Sequence, residues 1–348
     1  MVNINVRDDP WYIIMKSVMK YADGLWPNVY ALSYVLLAYL SGWYAITLGS
    51  VPLNLVGALL LAHSMVIAAY MVHECAHNTV FSSNRANAKL GALLNWFTGA
   101  CYGDYEDIRH KHFRHHMDRA DVVAFDYRPR FASHPVFMKI MRVLEWLYIP
   151  AVEIAMHLLV LVMPFVIPGR RHRRARVLTV LAARTTVFAV LVLYAPRVAI
   201  FYPLAYLVFL TVMRFMDTHQ HTYEIFETLE QPRGKEAMQF DRAFEHRNTY
   251  SNLFSVKHPW LNLLVLNFGY HNAHHLKPIT PWYRLPELHR EAFGDSCEQV
   301  LPIGNLLRAY HRYRVPRMLN ADAYDSGVID DRGVHFIGVD GVSFLTAH

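Results

Sequence analysis

Runs of about twenty apolar residues constrain this chain more than any other feature, because a helix that crosses a bilayer needs about 20 of them in succession. The first such run extends from about Asn28 to Leu48 and the second from about Val51 to Val72. Only Gly49 and Ser50 lie between them, so the pair reads as a helical hairpin closed by a tight turn. A long apolar region from Val177 to Phe215 is interrupted at Pro196-Arg197 and reads as two further spans, about 178–195 and 198–216. The whole composition agrees: 54% of residues are hydrophobic and 18% charged, against about a quarter charged in ordinary globular domains.

Other apolar stretches fall short of spanning. Lys89 to Tyr102 is too brief and rich in glycine. Residues 147–167 carry Glu153, His157, Pro150 and Pro164, and a basic cluster, Arg170, Arg171, His172, Arg173, Arg174 and Arg176, follows at once. The excess of arginine puts this end on the cytoplasmic side. The residues on either side of this region that carry chemistry, His116 and His219, share one face only if the chain crosses an even number of times between them. Residues 147–167 are therefore expected to form a re-entrant or interfacial hairpin. Arg184, in the third span, is costly at mid-bilayer and is expected to snorkel or to face protein. The expected fold is all-α integral membrane, with about four transmembrane helices in two hairpins and a cytoplasmic helical cap. Residues 1–27 read as a cytoplasmic N-terminal segment without a signal peptide pattern, 28–290 as the membrane and catalytic domain, and 291–348 as an extramembrane C-terminal tail. Within that tail, Val334 to Val339 and Val342 to Leu345 read as a small hairpin around an Asp340-Gly341 turn.

The formal net charge of +6 lies beside apolar stretches, which fits an anionic membrane face rather than nucleic acid; no zinc finger, phosphate loop or RNP-type run is present. Cys75, Cys101 and Cys297 are odd in number and have no CxxC spacing, so no disulfide framework is expected and the catalytic face should meet a reducing compartment.

Histidine is the outlier, at 21 residues, and it is clustered. His73-Glu74-Cys75-Ala76-His77 ends the second run. His112-Phe113-Arg114-His115-His116 and His271-Asn272-Ala273-His274-His275 repeat one pattern, HxxHH. Residues four apart share a helix face, while adjacent histidines diverge by about 100°, so each pair can serve two metals or two faces. Isolated histidines such as His134, His172, His289 and His311 read as surface or hydrogen-bonding residues. Eight clustered imidazoles are too many for one zinc, which takes about four ligands. They suit two ions, and iron leads because a two-metal, imidazole-rich site on a membrane points to redox chemistry with O₂. HExxH alone also matches a zinc protease, with Glu74 as general base; an intramembrane protease leaves both HxxHH clusters unexplained. A metal or haem transporter should place its ligands near mid-membrane, whereas these sit at helix ends.

HxxxH, HxxHH and HxxHH in this order resemble the membrane fatty acid desaturase and hydroxylase superfamily. Gly269 to His275, followed by Pro278, Pro281-Trp282-Tyr283 and Leu285-Pro286, looks like the third histidine box of bacterial and sphingolipid-type members, and Arg247-Asn248-Thr249-Tyr250-Ser251-Asn252 resembles the loop before it. The resemblance covers roughly 28–290. It implies two non-haem Fe²⁺ ions, a fatty acyl substrate in an apolar tunnel, O₂, and membrane lipid around the chain. Lys257-His258-Pro259-Trp260 lacks the glycines of a fused cytochrome b5, so electrons should come from a separate donor of ferredoxin, rubredoxin or cytochrome b5 type. It also implies one more histidine ligand among His219, His221, His246 and His258; Gln220-His221-Thr222 resembles a Gln-His-Thr at a span end in acyl-lipid desaturases, which favours His221. The expected ligands are then His73, His77, His112, His115, His116, His221, His271, His274 and His275, with no separate catalytic residue assigned. His110, Glu74, Glu106, Asp107, Asp118, Asp121 and Asp217 are candidates to orient them. The reaction implied is oxidation at an unactivated C–H bond, desaturation first, with hydroxylation or alkene-forming decarboxylation as alternatives, in a bacterial inner membrane with its catalytic face cytoplasmic.

Overall fold

A computed structural model describes residues 17–223, 226–229, 241–294, 296–319, 328–339 and 343–347; most of the N-terminal segment and of the polar stretch after Tyr223 lies outside them. Among the described residues four helices are long and apolar enough to cross a membrane: α1 (Leu25–Thr47), α2 (Val51–Ala76), α7 (Arg174–Tyr194, with a 3₁₀ lead-in from Pro168) and α8 (Val198–Thr218). They coincide with the four expected spans. Between the hairpins lie α3 (Asn84–Thr98), α4 (Tyr105–Asp118), α5 (Pro135–Trp146) and α6 (Ala151–Val166). After the last span come α9 (Arg242–Arg247), α10 (His271–Leu276), α11 (Leu285–Phe293) and α12 (Ile303–Tyr313). Among the described residues sheet is limited to one short parallel pair, Asp121–Val123 with Phe226–Thr228.

Helix α2 is the axis of the molecule. Its residues from Ser64 through Ala76 are all buried, so it is apolar on every side, as a helix enclosed by others must be. Its pairing with α1 depends on two glycines. A Cβ on Gly57 would sit 2.8 Å from the Ala45 Cβ and 2.9 Å from the Gly42 carbonyl oxygen, and one on Gly42 would sit 2.9 Å from the Gly57 oxygen. Small residues let backbones approach where no hydrophobic drive separates helix from lipid. Gly57→Leu is therefore expected to spread the hairpin and lower the unfolding temperature in detergent, whereas a leucine in place of the lipid-facing Val56, which is 52% exposed, should leave it unchanged. At the turn, Asn54 Nδ2 donates to the Ala45 and Leu48 carbonyls at 2.9 and 3.0 Å, satisfying acceptors that the end of α1 leaves open.

Helix α6 has 16 residues, about 24 Å at 1.5 Å per residue, short of the roughly 30 Å hydrocarbon core; residues 147–167 therefore do not supply a fifth full-length span. Arg184 faces protein. Its Nη1 donates to the Trp96 carbonyl in the last turn of α3 (2.8 Å) and its Nη2 to the Tyr202 hydroxyl (2.9 Å), so the charge lies against the negative end of a helix.

The C-terminal hairpin does not form among the described residues. The Asp340-Gly341 turn lies outside them, and residues 334–339 and 343–347 make no strand. An isolated two-stranded hairpin is marginal in water. The apolar side chains that alternate along it are instead drawn into the helical core, where Phe336, Phe344 and Leu345 are all buried.

Candidate metal centre

The C-terminal ends of α2 and α8 carry a cap built from α4, α10 and the loops around them. Box one sits on the last turn of α2, box two occupies the C-terminal half of α4, and box three lies on α10. Helix α10 has only six residues and needs outside support. Asn272 supplies it by donating to the Thr249 carbonyl (2.8 Å) and accepting from Ser251 Oγ (2.7 Å). The same loop pins the end of the last span: Thr222 N donates to the Asn248 carbonyl and Tyr250 N to the Gln220 carbonyl. One stretch, 248–252, thus fixes both His221 and box three.

All nine histidines expected from the sequence meet here, in two sets. His73, His77, His112, His116 and His274 form one; His115, His221, His271 and His275 form the other. Within each, one ligand atom per residue lies within 4.8 Å of all the rest. The adjacent histidines of boxes two and three separate, one to each set. The His116 and His275 rings, 4.3 Å apart, join the sets into one nest.

Protonation can be argued atom by atom. His115 Nδ1 lies 2.9 Å from the Ala120 carbonyl oxygen; a carbonyl only accepts, so Nδ1 carries the proton. His275 Nδ1 donates to Glu245 Oε1 at 2.9 Å. Thr249 Oγ1 spends its hydrogen on the Glu245 carbonyl and so accepts from His221 Nδ1 at 3.3 Å. Three imidazoles of the four-membered set therefore turn bare Nε2 lone pairs inward. Two of these, on His115 and His221, face each other at 3.0 Å, and the buried Nε2 atoms of His73 and His275 have no hydrogen-bond partner. Lone pairs in contact repel unless a cation lies between them. Metal–nitrogen bonds of about 2.0–2.1 Å place neighbouring ligand atoms about 3 Å apart, so the donor set fits a pair of metal ions. Burial, reinforced by neighbouring histidines, pushes the imidazole pKa down at His77, His112, His116, His221, His271 and His274, and burial holds that of His115 near 3. The ring is neutral at physiological pH, which is the form that ligates.

The other candidates fall elsewhere. His219 is buried among Phe215, Tyr310 and Phe336. His246 stacks beside Phe293. Glu74 is occupied: Thr79 Oγ1 and the Trp282 backbone N–H both donate to its Oε2. Its other oxygen lies 3.8 Å from His73 Nδ1, beside an imidazole it is a candidate to orient, and a zinc-protease reading still leaves the histidines of α4 and α10 unexplained. Asp107 pairs with Arg173, Asp118 with Arg114 and Glu106 with Arg109, so these three bind arginines rather than imidazoles. Glu245 was not singled out by the sequence. It bridges His275 and Arg119; although burial opposes its charge, those partners hold its carboxyl below the ordinary range. The available signal was its place just before the Arg247–Asn252 loop. Glu245→Gln keeps the shape but removes the charge that polarises His275, and is expected to weaken metal binding by about 10- to 100-fold, read as metal retained after dialysis.

A family model described as Fatty acid desaturase matches residues 50–304, a segment that begins at the turn into α2 and contains all nine histidines. The chain belongs to the fatty acid desaturase family. Membership of that family, together with four helices long and apolar enough to cross a membrane, makes it a multi-pass membrane protein. A sphingolipid delta(4)-desaturase of Candida albicans is 55% identical over 42 residues, which are 12% of this chain and 11% of that protein. No solved structure matches.

Proposed function

We propose that this desaturase-family protein carries out an O₂-dependent, di-iron oxidation of a fatty acyl chain, and that the reaction is desaturation. One observation carries the reading: nine imidazoles, seven buried and two half-buried, converge as sets of five and four, with the Nε2 atoms of His115 and His221 facing each other at 3.0 Å. Two non-haem iron ions held there, with O₂ and electrons from a separate donor protein, supply the power to remove hydrogen from an unactivated C–H bond. His73, His77, His112, His116 and His274 would hold one ion, and His115, His221, His271 and His275 the other.

The rest of the work belongs to the chain. Glu245 and the Ala120 carbonyl fix the rings of His275 and His115, so the ligands need little reorganisation. Tyr70 and Phe268 stack at 4.3 Å, and Phe268 lies against His73 and His271; this aromatic wall keeps water from the nest, which protects a reactive centre from side reactions. The arginine cluster of residues 170–176 supports a cytoplasmic side for the nest, where the donor would dock.

The test is expression in a host membrane with profiling of lipids and volatile hydrocarbons by mass spectrometry, alongside His274→Ala. New double bonds made by the wild type alone support desaturation. New hydroxyl groups or terminal alkenes would move the reading to those reactions. Identical profiles across several acyl lengths would end the acyl-oxidase reading.

A further inference from the structure

An apolar cavity of about 760 Å³ lies among the bilayer-level helices, lined by residues such as Trp43, Leu158, Val187, Phe188, Leu207 and Leu345. Its size falls within the roughly 300–1,000 Å³ typical of small-molecule sites. Arg184 is the one arginine, lysine or carboxylate in its described wall, and that guanidinium is tied to Trp96 and Tyr202. Apart from Arg184, His157, Thr185 and a few tyrosines the lining is apolar, which suits a flexible hydrocarbon chain.

Leu345 does not belong to the helices. It comes from the C-terminal segment, 343–347, and its neighbour Phe344 faces the nest, with ring centroids 5.8 Å from both His73 and His112. Two consecutive residues thus touch the two compartments, one each. The segment is held firmly. Buried Lys111, adjacent to His112, donates to the Ser343 carbonyl (2.8 Å), the Thr346 carbonyl (3.2 Å) and Thr346 Oγ1 (3.0 Å). Glu153, fully buried on α6, accepts from Ser343 N at 2.9 Å. Gly103 lets the Ala347 carbonyl approach so closely that a Cβ would sit 2.6 Å from it. A buried ammonium and a buried carboxylate are costly unless hydrogen-bonded, and these backbone and hydroxyl partners in the segment supply the bonds, so displacing the segment would strand both groups.

We propose that the cavity takes a single acyl chain and that Phe344 and Leu345 form the partition at its nest end, setting which carbon of that chain meets the metal centre. This rests on the acyl-oxidase reading for the reaction, but not for the binding. Phe344 is a positioning residue: it borders the metal-facing rings and takes no part in bond making. Removing its ring lets the chain advance, so the site of oxidation moves along it. Enlarging Leu345 closes the cavity to the chain.

Two measurements on the full-length protein test this. In the first, a stearic acid carrying a photoreactive diazirine near its methyl end is cross-linked to the purified protein, with and without excess unlabelled stearic acid. Cross-links are expected on cavity residues of α6, α7 and α8, competed by the unlabelled acid and lost in Leu345→Trp. Labels elsewhere, labels that stearic acid does not displace (a tightly held structural lipid), or labelling unchanged in Leu345→Trp would each overturn the proposal. In the second, product positions are mapped for Phe344→Ala and the milder Phe344→Leu, with iron content as the measure of an intact nest. A shift in double-bond position at unchanged iron is expected. A lower yield at the wild-type position would mark Phe344 as merely structural and overturn the partition. Specific cross-linking in a protein that makes no oxidised product would instead count against the reaction and leave the site standing.

Discussion

Replacing His221 by alanine is expected to abolish the oxidised product and to remove one of about two irons per chain, while the same change at His219, two residues away, should leave the metal in place. His221 Nε2 lies 3.0 Å from that of His115 and 2.7 Å from that of His271, and its ring is 4.6 Å from each of the His115, His271 and His275 rings. Without it the four-membered set keeps three ligands and a gap at its centre. Since losing a group that merely orients a ligand already costs about 10- to 100-fold, losing a ligand should cost on the order of 100-fold or more. His219 faces the other way, into an aromatic pocket closed by the C-terminal segment. Metal analysis and lipid profiling on the two variants decide the matter. Equal iron in His221→Ala and wild type would remove His221 from the ligand set.

The largest expected effect on stability lies outside the nest, at Arg214. Its side chain is fully buried near the C-terminal end of α8 and pairs with Glu145, itself buried at the end of α5. Glu145 Oε1 also accepts from Ala151 N (2.8 Å) and lies 3.4 Å from Val152 N, at the start of α6, where a carboxylate meets the positive end of the helix. One carboxylate therefore ties three helices together. Arg214→Ala leaves that charge buried without its cation, a loss of about 3–5 kcal/mol, seen as a lower unfolding midpoint in detergent. Arg214→Met combined with Glu145→Gln removes both charges and keeps an acceptor for the Ala151 N–H. It should recover most of the loss; if it is as unstable as Arg214→Ala, the cost comes from packing rather than from the stranded carboxylate.

The sequence by itself determined the spans and the eight histidines of the three boxes, while His221 was favoured only by the family resemblance. Spans and boxes are local properties. Lipid offers the backbone no partners, so each crossing segment must carry its own run of apolar residues, and α1, α2, α7 and α8 could be bounded within a few residues. Spacing within one helical turn likewise makes HxxxH and HxxHH readable without a fold. Only the tertiary structure decided how those ligands divide. Box two sends His112 and His116 to one set and His115 to the other; box three sends His274 to the first and His271 and His275 to the second. That division depends on how α2, α4 and α10 are rotated against one another, which no single segment encodes. The same reason hid Glu245, whose partners are 30 and 126 residues away, and the burial of the C-terminal segment. Its alternating apolar residues satisfy a strand pattern and a core contact equally well, and what selected the contact was Lys111, more than two hundred residues earlier in the chain.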